Sequence, residues 1–101
     1  LIRHTIVFSL RHAFESAEEA EFLQQAIVLA DIPSVRSFER LRQISPKCGF
    51  MFGFSMEFEN EAGYAEYNSD PRHKAFVRDY WETGVSSFQE IDYEPLVAYS
   101  Q

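Results

Sequence analysis

The chain has 101 residues, 46% hydrophobic and 25% charged, with four Gly and four Pro, which fits one compact domain and excludes disordered, collagen-like and linker-rich chains. Sixteen Asp and Glu against nine Lys and Arg give a net charge of -7. That balance repels phosphate backbones and anionic lipids, so neither nucleic acid nor a membrane is an expected partner.

Ten Phe, five Tyr and one Trp are more aromatic side chains than a lone domain of this size readily hides, which points to oligomerisation or a ligand cavity. Cys48 is the only cysteine, so no intrachain disulfide or thiolate metal cluster can form, and a reducing cytoplasm is the expected location. No stretch has the length of a signal h-region or a membrane span.

Ile2, His4, Ile6, Phe8 and Leu10 alternate with Arg3, Thr5, Val7 and Ser9, which predicts a first strand with one apolar face. Ser16 and Glu19 have capping-box spacing, and Phe22, Leu23, Ala26, Ile27 and Ala30 recur at helical intervals. A helix from about Ala17 to Ala30 follows, ended by the approach to Pro33. Val35 to Ile44 alternates again but is rich in arginine, as suits an edge strand. Arg36, Arg40 and Arg42 are predicted to share one face of it, for an anionic substrate or, more simply, for ion pairs with Glu57, Glu59, Glu90 and Glu94.

After a turn at Ser45–Gly49, residues Phe50, Phe52, Phe54, Met56 and Phe58 occupy every second position and predict a third strand with a nearly pure aromatic face. Asn60 to about Ser69 reads as helix, and Asp70-Pro71 restarts one with an acceptor at the cap and Pro at the first helical position. That helix runs to Gly84. His73, Phe76, Val77 and Tyr80 share its inward stripe, with Trp81 turned toward a partner or a pocket rim. Phe88 to Tyr93 is a last short strand, the domain spans 1–96, and 97–101 are a tail. The order strand, helix, strand, strand, broken helix, strand predicts an α+β, ferredoxin-like fold: an antiparallel four-stranded sheet, order 4-1-3-2, with helices on one face.

Ile2-Arg3-His4-Thr5-Ile6-Val7-Phe8, Ile32-Pro33-Ser34-Val35-Arg36-Ser37-Phe38-Glu39, Asp70-Pro71-Arg72-His73-Lys74-Ala75-Phe76 and Asp92-Tyr93 together resemble the stress-responsive dimeric α/β barrel family, often abbreviated Dabb. The resemblance implies a homodimer in which two such sheets close into a barrel with helices outside. Most members have no assigned reaction, and the fold does not supply one. One branch, the plant polyketide cyclases, closes a poly-β-keto chain by aldol condensation without a cofactor. By that resemblance His73 corresponds to the base, Tyr67 to a hydrogen-bonding tyrosine and His4 to the strand-one histidine. Phe52 stands where that branch carries a further histidine, opposite His4.

A histidine on an inward stripe suits proton abstraction beside a carbonyl, and the first turn of a helix favours its neutral form. The expected ligand contacts are Phe52 above all, with Phe54, Tyr64, Phe76, Tyr80 and Trp81. Three function classes stay open. One is a homodimeric domain binding a small apolar or carbonyl-containing molecule; another is a cofactor-independent cyclase or lyase; the third is a monooxygenase-like barrel. No cofactor is expected. His4, His12 and His73 are scattered without metal-ligand spacing, so no metal site is predicted.

Overall fold

The computed structural model describes residues 1–97; of the expected tail, all but Val97 lies outside them. The elements are β1 (Ile2–Leu10), α1 (Ala17–Gln25) running into a 3-10 turn (Ala26–Asp31), β2 (Arg36–Arg42), β3 (Phe52–Phe58), α2 (Glu61–Ser69), α3 (Pro71–Phe76), a π-helical turn (Val77–Trp81), α4 (Glu82–Gly84) and β4 (Val85–Tyr93). All strand pairs are antiparallel in the order β2-β3-β1-β4, the ferredoxin-like arrangement, with the two most apolar strands central.

The alternation in β1 and β3 becomes burial on one side. His4, Ile6, Phe8 and Leu10 pack with Phe52, Phe54, Met56 and Phe58 beneath Phe22, Ala26, Leu29 and Phe76 from the helical layer. Phe8 is fully buried and meets Phe22, Phe52, Phe54 and Trp81 at ring distances of 4.7 to 5.8 Å. Burial of one such side chain stabilises the fold by about 2–3 kcal/mol. The opposite sheet face leaves Leu41, Ile91 and Tyr93 exposed. Among the described residues no helix is long and apolar enough to cross a membrane.

Beyond shifts at element ends, such as α1 giving way to a 3-10 turn at Ala26 and β3 starting at Phe52, three details differ from the sequence pattern. β2 carries an irregularity, with Arg36 opposite Glu57 but Glu39 opposite Ser55, and Ser37 sits at φ 52°. The extra residue inverts the alternation. Arg36 therefore lies on the open face, while Arg40 and Arg42, opposite Phe54 and Phe52, lie on the helix side, so the three arginines do not share a face. Arg36 pairs with Glu59 at 3.2 Å, Arg40 donates to the Leu23 carbonyl at 2.8 Å, and the Arg42 guanidinium sits 5.3 Å over the Phe52 ring.

The second detail is the π turn. Its wider i→i+5 bonding adds a residue to the inward stripe. Trp81 as well as Tyr80 packs against the core, with the Trp81 ring edge-on to Phe8 at 5.2 Å and Tyr80 stacked on Phe76 at 5.9 Å. The third is β4, which begins at Val85 opposite Leu10, three residues before the expected start.

Candidate functional site

α2 ends where α3 begins, and Asp70 makes the corner: its carboxylate accepts from the Arg72 backbone N–H at 2.8 Å and from the Arg72 side chain, which holds its pKa down at about 2. Pro71, already lacking an N–H, takes the first helical position. This corner folds His73 back on the end of α2, where its Nδ1 donates to the Asn68 carbonyl at 3.3 Å. In the neutral ring Nε2 then keeps the lone pair. Burial pulls the His73 pKa below its usual value, only partly opposed by the Asn68 hydrogen bond, so the ring is neutral near pH 7.

Tyr67 lies one turn before the corner, 4% exposed, with its ring 4.3 Å from that of His73 and 6.0 Å from that of His4. Burial, then the nearby charge of Glu90, push its hydroxyl pKa up, so it stays a protonated donor. Among the described residues the hydroxyl has no hydrogen-bond partner. His4 is also 4% exposed. Its Nδ1 donates to Asp92 Oδ1 at 2.6 Å, with the Tyr64 oxygen 2.8 Å away, and Tyr64 donates to Asp92 Oδ2 at 3.0 Å. Since a carboxylate oxygen accepts, this network places a ring proton on Nδ1 of His4.

His4, Tyr67 and His73 come together around a cavity of about 190 Å³ between sheet and helices. Phe54, Phe76 and Trp81 give it an apolar wall, and Glu90 and Phe88 line it from β4. Three expected contacts lie elsewhere. Phe52 pairs with Phe8, while His4 pairs with Met56. Four residues of strand, roughly 13 Å at 3.3 Å per residue, separate Phe52 from the His4 position, and it packs under Arg42 instead. Tyr64 stacks on Phe58 at 4.8 Å and borders a separate groove with Asp92, Tyr93 and Glu94. Tyr80 is turned aside by the π turn.

Asp92, Asn68 and Glu90 were not among the expected site residues. The usable signal was period two in β4: Phe88, Glu90 and Asp92 alternate, and only the pairing of Asp92 with His4 and Glu90 with Ile6 reveals that they share the cavity face. No group of three His, Cys, Asp or Glu that could hold a metal ion occurs among the described residues.

A Dabb family protein from Mesorhizobium loti, described as ferredoxin-like, is 56% identical and superposes with a TM-score of 0.93, covering 95% of this chain and 97% of its own. A dimeric protein of unknown function from Bacteroides fragilis is 21% identical, with a TM-score of 0.71 and coverage of 92% and 94%. A hydroxynitrile lyase from Passiflora edulis is 10% identical, with a TM-score of 0.80 and coverage of 98% and 96%; these last two share the fold alone. No curated protein matches the chain. The family model described as the stress responsive A/B barrel domain matches residues 2–95, nearly the whole of the strand, corner and cavity framework described above, and the chain belongs to that family.

Proposed function

We propose that the chain acts as a homodimer whose sheet–helix cavity binds a small carbonyl-containing molecule. The observation that carries this reading is a cavity walled by Phe54, Phe76 and Trp81 in which the unpartnered Tyr67 hydroxyl and the neutral His73 ring are neighbours. An apolar cavity of about 150 Å³ is large enough for benzene, so about 190 Å³ suits one ring or an equally short chain. The dimer is supported by the bare sheet face with exposed Leu41, Ile91 and Tyr93 and by the dimeric relative of the same fold. Light scattering at micromolar concentration should return twice the chain mass, and a monomer mass would overturn that part.

Catalysis without a cofactor is a second reading, favoured by the His73 hydrogen bond to Asn68, which leaves Nε2 to take a proton. His73 would remove the proton beside the carbonyl while Tyr67 donates to the oxygen on which charge develops; the proton on His73 then returns to carbon or passes to a leaving alkoxide. The hydroxynitrile lyase of the same fold is consistent with acid–base work at such a site.

Acetophenone tests both parts. Binding is read from Trp81 fluorescence, and exchange of its methyl protons in D2O is followed by NMR. Binding with exchange above the buffer rate, lost by about 10²-fold in His73→Gln, is expected. Binding without exchange would leave a carrier and remove the enzyme. No binding at millimolar concentration would sink the carbonyl-ligand reading.

A further inference from the structure

Glu90 brings a carboxylate to the exposed β4 rim of this cavity. Its register partner on β1 is Ile6, so its side chain stands on the helix side of the sheet, in the same wall as Phe88 and His4. Among the described residues no Lys, Arg or hydrogen-bond donor pairs with it, and none of the residues lining the cavity is a Lys or Arg. Glu90 is exposed at the mouth of the cavity, so its charge is solvated in the free protein and directly meets any ligand entering from the β4 side. Its field reaches inward, since it contributes to the raised pKa of Tyr67 and acts on His73.

Beside it the wall is aromatic. Phe88, two residues earlier on the same strand face, is 53% exposed and meets the Trp81 indole edge-on at 5.5 Å, and both rings line the cavity with Glu90. A carboxylate beside aromatic rings is the chemistry that recognises an ammonium group, through ion pairing and cation–π attraction. The net charge of -7 steers cations toward such a mouth and slows anions.

We infer that Glu90, with Phe88 and Trp81, is a specificity element: the cavity takes a small molecule bearing a protonated amine and rejects carboxylates of the same size. The inference rests on the binding reading above and adds the charge of the ligand to it. The carbonyl end would meet Tyr67 and His73 in the interior, and the amine would lie at the β4 side against Glu90. The role is one of selection; Glu90 takes no proton in the chemistry.

Benzylamine, benzyl alcohol and benzoate have nearly the same size and differ in charge at pH 7. Titrated against the full chain with Trp81 fluorescence and amide NMR shifts, benzylamine should bind about tenfold more tightly than benzyl alcohol, a gap of about 1.4 kcal/mol, and benzoate should not bind. Glu90→Gln should bring benzylamine to the level of benzyl alcohol without changing the latter, and Glu90→Lys should admit benzoate. Equal binding of the amine and the alcohol by the unaltered protein would overturn the selection while leaving the cavity reading standing. An amine preference that survives in Glu90→Gln would also overturn it. Failure of all three ligands to bind at millimolar concentration would remove both readings.

Discussion

The Nδ1 of His4 and the Oδ1 of Asp92 lie 2.6 Å apart, joining the central strand to an edge strand through side chains as well as backbone. The ring is buried and the carboxylate half exposed, so the pair sets which ring nitrogen carries the proton while costing little desolvation on the acid side. Asp92→Asn should lower stability by about 1–3 kcal/mol, the range for a buried polar group that loses its partner. The same change should move the ring proton toward Nε2, visible in the two-bond proton–nitrogen NMR pattern of His4. An unchanged tautomer would show that Asp92 does not set it.

The depressed pKa of His73 gives stability a pH dependence. The folded chain holds the imidazole proton less tightly than the unfolded chain does, so unfolded molecules take up more protons as pH falls below about 6.5, the ordinary histidine value. This contribution is fully present above that pH and is lost as pH drops through the lower folded value. Urea unfolding across pH 4.5–7.5 should show a loss toward acid that is smaller in His73→Gln, and equal slopes in the two proteins would contradict the assignment to His73.

Tyr67→Phe separates the hydroxyl from the ring. The ring packs between His4 and His73, but the hydroxyl bonds to nothing among the described residues. Removing it should leave stability within about 0.5 kcal/mol and weaken acetophenone binding about 5- to 10-fold, one neutral hydrogen bond. A large loss of stability with unchanged binding would mean that the hydroxyl serves the fold.

Gly84 closes the helical layer onto β4. A Cβ there would lie 3.0 Å from His12 Nε2 and 3.3 Å from Phe22 Cδ2. Gly84→Ala should cost about 1–2 kcal/mol through overpacking, a fall in Tm of about 4–8 °C per kcal/mol for a domain of this size. Adding His12→Ala should restore part of it, because the imidazole is the nearer obstacle.

The strands that build the core were legible because burying one side writes period two into the chain: His4, Ile6 and Phe8 in β1 and Phe54, Met56 and Phe58 in β3 need nothing beyond that rule. The cap at Asp70-Pro71 was equally plain, and with it the position of His73. The inversion at Ser37 was not, since a left-handed residue is announced by Gly or Asn and serine gives no such mark. The π turn has no compositional sign either, so the approach of Trp81 to Phe8, Phe22 and Phe54 was not legible. Asp92 and Glu90 were hidden for another reason: both faces of β4 mix polar and apolar residues, and the role of these two depends on its register against β1, a relation between residues more than 80 positions apart.

The irregular stretch at Ser37 also bears on how copies of this chain meet. β2 is an outer strand, and a straight outer strand offers its unpaired amides and carbonyls to any passing strand. The left-handed residue breaks that row within seven residues, so no second chain can extend the sheet there in continuous register. A twelve-kilodalton, phenylalanine-rich protein is thereby guarded on this flank against runaway strand addition.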